Sequence, residues 1–329
     1  MSARVSRGIV MTESFFVAVN AVIPFLCYLA LGGAAKVAGA VDEPFLQRLT
    51  RLIFTVMFPF MTFNNIYAAD RSNVPSMTLL VFVGVGILVM EGLLLLIVPR
   101  LVKTNPRRGV IIQAMYRSNF VLFGLPLTTT IFGAEQSAPA AMLVAIVLTI
   151  YNITSVVILE LFNDHGDPSR KLSAKALLVK LAQNPMLQGC AVGLVFFYFQ
   201  IRLPTCLASP IASFANMTTP LAMFALGGTL RFEAVSKNLP YLVPTLLGKL
   251  IVVPLVLATA AYTIGLRGVE LFLVVAVFGT PVASGSYPMA MNMGGDGELA
   301  GQFVFISTVA SLFTLFGWIF TLDQLGLLL

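Results

Sequence analysis

Ten apolar segments, each long enough to cross a bilayer as a helix, constrain this chain more than any other feature. They run over about residues 13–34, 45–68, 76–99, 108–131, 138–162, 176–201, 208–230, 240–265, 268–294 and 299–325. A hydrocarbon core ~30 Å thick takes about 20 apolar residues per helix. Backbone N–H and C=O groups find no water there, so each segment must bond to itself as a helix. The predicted class is an all-α polytopic membrane protein of ten transmembrane helices. Only 10% of the 329 residues are charged, against roughly 25% in soluble domains.

The net charge of +6 raises nucleic acid as a partner, but the positions of the cations explain it as topology. With ten spans the loops alternate between two sides. One side holds 13 of the 20 Lys and Arg residues, among them Lys36, Arg48, Arg51, Arg100, Lys103, Arg107 and Arg108. The other holds five: Arg4, Arg7, Arg71, Arg202 and Arg267. Arg117 and Lys249 fall inside the membrane. The positive-inside rule makes the basic side cytoplasmic and puts both termini outside the inner or plasma membrane. Residues 163–175 read as a solvated loop and 173–183 as an interfacial lead-in, with Lys175 and Lys180 able to snorkel. Arg4 and Arg7 resemble the start of a signal peptide without a cleavage site, and Met11 is an alternative start to Met1.

Two segments carry residues that a membrane helix should not. Residues 116–127, YRSNFVLFGLPL, combine an Arg, a Ser-Asn pair, a Gly and a Pro. Residues 279–296, GTPVASGSYPMAMNMGGD, are of the same kind. Arg117 lies nine residues past Arg108, and Pro281 eleven past Glu270. At 1.5 Å per residue those are depths of about 13–14 and about 16–17 Å from opposite faces. Helices 4 and 9 are therefore expected to break and cross at mid-membrane. Each break exposes a half-helix N-terminus whose free N–H groups favour an anion.

The breaks belong to a weak internal repeat. Pro24 and Pro185 are 161 residues apart, Pro59 and Pro220 likewise, and Pro126 and Pro288 are 162 apart. Phe132-Gly133 and Gly294-Gly295 keep the same offset. Residues 1–163 and 164–329 are thus read as two five-helix repeats. Five is odd, so the second repeat inserts upside down, a pattern of secondary transporters.

Three ionisable residues share the depth of the breaks. Lys249 is nine residues past Pro240, and Glu91 is nine before Arg100. Such charges cost several kcal/mol unless paired or facing a wet cavity. Glu91 and Lys249 are candidates for a charge pair, and Glu91 for the carrier of a coupling proton. Two cations against one carboxylate leave a positive interior.

Enzyme, cofactor and metal signatures are missing. His165 is the only His and falls in a polar loop, leaving no His-based triad or His-rich metal site. There is no P-loop. Cys27, Cys190 and Cys206 read as small buried hydrophobes. Asn152-Ile-Thr154 and Asn216-Met-Thr218 match a glycosylation pattern but lie inside the membrane, so that reading is discounted.

RSNFVLFGLPL at 117–127, with TPVASGSYP at 280–288 and GGDGELA at 294–300, resembles the auxin efflux carrier family of bacterial permeases, related to the plant PIN auxin carriers and to the bile-acid/sodium symporter-like fold. The resemblance implies a scaffold of helices 1, 2, 6 and 7 (about 13–68 and 176–230) and a transport unit of the rest (about 76–162 and 240–325). It also implies elevator-type movement, homodimers through the scaffold, and export or exchange of organic anions. Bacterial members are associated with malate- or malonate-like carboxylates. Ser118-Asn119 replaces the Pro-Asn of the plant carriers, and their long loop between helices 5 and 6 is missing. A small-carboxylate permease is therefore the closer expectation.

The expected substrate site comprises Arg117, Ser118, Asn119, Gly124 and Pro126 on one arm, and Pro281, Ser284, Ser286, Tyr287 and Pro288 on the other. The predicted partners are a small organic anion, a coupling proton and the lipid bilayer. The alternatives are a sodium-coupled symporter of the bile-acid type and a membrane receptor that binds without transport.

Overall fold

The computed structural model describes residues 2–69, 75–163, 174–230 and 235–328. Its regular structure is helical, and its one isolated β-bridge joins Ser118 and Val282. The helices are α1 (Ser2–Val37), α2 (Glu43–Leu52), α3 (Phe58–Tyr67), α4 (Met77–Leu101), α5 (Asn105–Tyr116), α6 (Leu125–Leu161), α7 (Ala174–Gln183), α8 (Pro185–Phe199), α9 (Thr205–Thr229), α10 (Val235–Leu247), α11 (Val253–Thr263), α12 (Gly268–Gly279), α13 (Ser286–Asn292) and α14 (Gly297–Gln324). Single π-turns at Ile53–Met57, Phe120–Gly124 and Gly248–Val252 join α2 to α3, lead into α6, and join α10 to α11. The stretches Met77–Leu101, Leu143–Leu161, Val235–Thr263 and Gly297–Gln324 are long and apolar enough to cross a membrane. Shorter apolar helices cover Val22–Val37, Phe120–Gly133, Pro185–Phe199 and Gly268–Gly279.

The outer surface fits a lipid environment. Val81, Val85, Leu88, Leu93 and Leu96 on α4 are each more than half exposed. In water such a surface would be an aggregation site, and in a bilayer it meets acyl chains. The chain is a multi-pass membrane protein.

Chain punctuation follows side-chain chemistry. Asn184 caps α8 by accepting from the N–H groups of Met186 (3.0 Å) and Leu187 (3.3 Å), and Pro185 opens that helix without needing a donor. The lead-in expected over 173–183 is α7, which ends at this cap. His165, Arg71, Arg170, Lys171 and Arg231 lie outside the described residues. Gly133 and Gly294, 161 residues apart, both take positive φ, 79° and 76°, and interrupt helical structure.

Ion pairs join Lys36 to Glu43, Arg107 to Asp296 and Lys180 to Glu160. The Leu203 N–H donates to the Tyr67 hydroxyl (3.0 Å), and the Ser76 N–H to Glu270 Oε1 (3.2 Å). Asp296 has three tasks: it accepts from the Leu299 N–H at 3.0 Å, accepts from Arg107 Nε at 3.0 Å, and donates its own N–H to the Pro106 carbonyl. Asp296→Ala is expected to destabilise by about 1–2 kcal/mol, mostly through the lost cap. The part-exposed ion pair adds little. A thermal midpoint in detergent checks this, and Asp296→Asn, which keeps a capping oxygen, should lose less.

Helices α1, α3, α8 and α9 pack together through glycines. A Cβ on Gly32 would sit 1.9 Å from the Phe224 carbonyl oxygen, and one on Gly227 2.0 Å from that of Leu29. Gly189 meets the Pro59 backbone in the same way. Small residues that let backbones touch are the usual basis of helix association in lipid. The remaining long helices form a second group, in which α5 contacts α4 and α14, and α12 contacts α11 and α6. The groups meet most extensively where α1 touches α14, and also where α1, α3 and α8 touch α6 and α9 touches α13.

Candidate functional site

Helix α5 stops at Tyr116 because residue 117 leaves helical geometry (φ −78°, ψ 116°). Helix α12 stops at Gly279, and Thr280 is extended (φ −72°, ψ 158°). Each break frees backbone groups that lipid cannot satisfy. The two extended stretches solve this by pairing with each other. The Asn119 N–H donates to the Pro281 carbonyl at 2.8 Å, and the Ala283 N–H donates to the Arg117 carbonyl at 3.3 Å. The Val282 N–H goes to the Ser307 hydroxyl at 3.0 Å. The Ser118 hydroxyl donates to the Val277 carbonyl at the open end of α12, with Tyr151 beside both. Helix then resumes at Phe120 on one arm and Ser286 on the other.

A cavity of about 360 Å³ lies against this crossing, between the two helix groups. Residues 117–122 and 283–285 form one wall. Pro24, Phe25 and Tyr28 of α1, Met61 and Asn65 of α3, and Ala215, Asn216, Thr219 and Pro220 of α9 form the other, with Leu148 of α6 between. Of the expected site residues, Arg117, Ser118, Asn119 and Ser284 line it. Gly124, Pro126, Pro281, Ser286, Tyr287 and Pro288 do not.

Their positions explain why. A Cβ on Gly124 would collide with the Phe120 ring, so this residue serves packing. Pro126 lies where the Phe120–Gly124 π-turn passes into α6, and its missing N–H suits the altered bonding there. The Pro281 carbonyl holds the crossing, and that of Pro288 accepts from Asn292 Nδ2 at 2.7 Å. Ser286 Oγ is buried and makes no hydrogen bond. The Tyr287 hydroxyl bonds to that of Thr229 at 2.6 Å, linking α13 to α9.

Arg117 is 4% exposed. Its guanidinium donates to the Met289 sulfur and to Asn152 Oδ1 (3.2 Å). Both partners are neutral, and no ion pair to Arg117 exists among the described residues. A buried cation normally demands an anion. Here the positive charge faces a solute-sized space.

Glu91 and Lys249 are buried beside the site but form no ion pair with each other. Lys249 Nζ donates to the Tyr116 carbonyl at 3.3 Å, capping the last turn of α5 with a cation where the helix dipole favours one. Glu91 lies within reach of the Thr154 hydroxyl, which in turn approaches the Tyr116 hydroxyl at 3.3 Å, while its Oε1 makes no hydrogen bond. The sequence repeat suggested a direct pair, whereas both charges instead converge on Tyr116.

The sequence pointed to one wall of the cavity and missed the other, which carries Asn65, Asn216 and Thr219. A signal was present. Asn152-Ile-Thr154 and Asn216-Met-Thr218 are conspicuous as polar triplets inside apolar helices. Asn152 turns out to orient Arg117, and Asn216 to line the cavity.

Two broken helices meeting at a solute-sized cavity inside a multi-pass bundle are the architecture of a membrane transporter. The family described as "Membrane transport protein" matches residues 17–319, and the chain belongs to it. This is the auxin efflux carrier family that the motif at 117–127 resembles. The chain is similar to an uncharacterized transporter of Methanothermobacter thermautotrophicus, 26% identical over 92% of this chain and 98% of the relative. It is also similar to one of Methanocaldococcus jannaschii, 23% identical over 91% and 98%. Family and relatives alike indicate a transporter and not an enzyme.

Proposed function

We propose that this protein is a secondary active transporter of small organic anions, with malate- and malonate-like carboxylates as the first class to test. The observation that carries this reading is Arg117, a buried guanidinium with neutral partners on the wall of a cavity at the helix crossing. Asn119 and Ser284 from the crossing, and Asn65, Asn216 and Thr219 from the facing helices, supply hydrogen bonds to the bound solute. The first backbone N–H groups of the helix that restarts at Phe120 add positive potential on the same wall.

The proposed architecture is ten spans in two inverted repeats, 1–163 and 164–329, with both termini outside. A scaffold of about 13–68 and 176–230 carries the transport unit of about 76–162 and 240–325, which moves in an elevator manner. The glycine-mediated packing of α1, α3, α8 and α9 supports a rigid scaffold. The matching breaks at Gly133 and Gly294 support the repeat. Homodimers through the scaffold follow from the family resemblance. Glu91, buried with one unbonded oxygen, is the proposed carrier of a coupling proton.

Proteoliposome counterflow over a panel of mono- and dicarboxylates tests the proposal. Saturable exchange of at least one carboxylate is expected, unchanged when sodium is replaced by choline. Saturable binding with no flux would favour a receptor, and a sodium requirement would favour the bile-acid-type symporter. No carboxylate moved or bound by folded protein would contradict the proposal.

A further inference from the structure

We infer that the species bound at the crossing carries a single negative charge, so that monocarboxylates are taken directly and dicarboxylates only in their singly protonated form. This rests on the anion-transport reading above and narrows its substrate class.

Among the described residues, Arg117 is the only charged side chain on the cavity wall. Its own hydrogen bonds go to Met289 and Asn152, so its charge is left to be neutralised by the solute. One carboxylate does this. A second would lie against the facing wall, where the polar groups are neutral: Asn65, Asn216 and Thr219 among apolar side chains such as Phe25 and Met61. Amides and hydroxyls bond well to a protonated carboxyl, an alcohol or an ester. They do not replace a cation for a desolvated carboxylate, whose burial without a partner is strongly unfavourable.

The other buried charges do not alter this count. Lys249 is not on the cavity wall, and its ammonium is directed to the Tyr116 carbonyl. Glu91, of opposite sign, approaches the same tyrosine through Thr154. The pair lies behind residue 116 and offers the cavity no second anion partner. A volume of about 360 Å³ is ample for a four- or five-carbon acid, so discrimination comes from charge and not from size.

The test uses the full-length protein in proteoliposomes and matched probes: malonate, succinate and glutarate, each against its monomethyl ester. At pH about 8, where a dicarboxylic acid is doubly ionised, each ester is expected to bind at least about tenfold more tightly than its parent acid, a difference of about 1.4 kcal/mol. At pH about 5.5 the gap should shrink as the singly charged form accumulates. Asn216→Lys adds a second cation to the facing wall at an exposed position, and it should narrow or reverse the preference at the higher pH. A parent acid that equals or exceeds its ester at the higher pH in the unaltered protein would overturn the inference and leave the anion reading standing. Failure of every acid and every ester to bind would overturn both.

Discussion

Arg117→Gln should abolish useful transport while leaving the protein as stable as before, or slightly more so. Among the described residues, the guanidinium is the only cation on the cavity wall. Removing one partner of a buried, hydrogen-bonded charge pair costs about 2–5 kcal/mol, hence an affinity loss of about 30-fold to several thousandfold. Most buried arginines would also take the fold down, because their deletion strands a carboxylate. Arg117 has none: Met289 and Asn152 are neutral. Glutamine keeps an amide donor and part of the volume. Concentration-dependent uptake and the thermal midpoint, measured on the same preparation, separate the two effects. A parallel fall in both would mark Arg117 as structural. Arg117→Lys keeps the charge but loses the two-armed geometry, and should recover part of the affinity.

Gly227→Ala carries the largest expected effect on stability. Its added methyl would lie 2.0 Å from the Leu29 carbonyl oxygen and 2.6 Å from the carbonyl carbon. Backbone cannot rotate aside as a side chain can, so α1 and α9 must separate. The reciprocal contact of Gly32 with Phe224 would then open as well. Overpacking of this kind costs about 1–3 kcal/mol at ordinary core sites, and the value here should reach or exceed the upper end. Loss of the monodisperse species in detergent, or a midpoint lower by several degrees, is the expected readout. Gly92→Ala on α4, where an added Cβ meets nothing within 4 Å, is the control and should change little.

Much of the fold is written in the sequence because membrane folding uses few signals. Apolar length marks helices, and Asn, Asp and Pro mark their starts. The breaks at 117–119 and 280–285 are legible for the same reason: Arg, Ser and Asn inside an apolar run, followed by Gly and Pro, have no place in a lipid-facing helix. Which side chains at a break turn to the cavity is not legible. In an extended stretch they alternate, and the face each takes depends on the pairing register, fixed here by the Asn119–Pro281 bond. Ser118 therefore ends on the Val277 carbonyl, while Tyr287, already on α13, bonds to Thr229.

The facing wall is hidden for a different reason. Asn65, Asn216 and Thr219 are single polar residues on otherwise apolar helices, and no local periodicity says which neighbour they meet. The π-turns at Ile53–Met57 and Gly248–Val252 are equally silent. An extra residue in a turn shifts the register of every side chain after it without requiring a Gly or Pro. The second of these turns carries Lys249 to the Tyr116 carbonyl. Shared depth and the sequence repeat made Lys249 and Glu91 candidates for a pair, but neither says anything about direction around the helix.

Arg117 is proposed to hold the solute's anionic group at the helix crossing. A structure of the protein in a lipid nanodisc with a transported carboxylate bound tests this most directly. The carboxylate is expected within hydrogen-bonding distance of the Arg117 guanidinium, beside Asn119 and Ser284, with the rest of the solute against Asn216 and Thr219. A carboxylate bound elsewhere, with the cavity at the crossing holding only water or lipid, would contradict it.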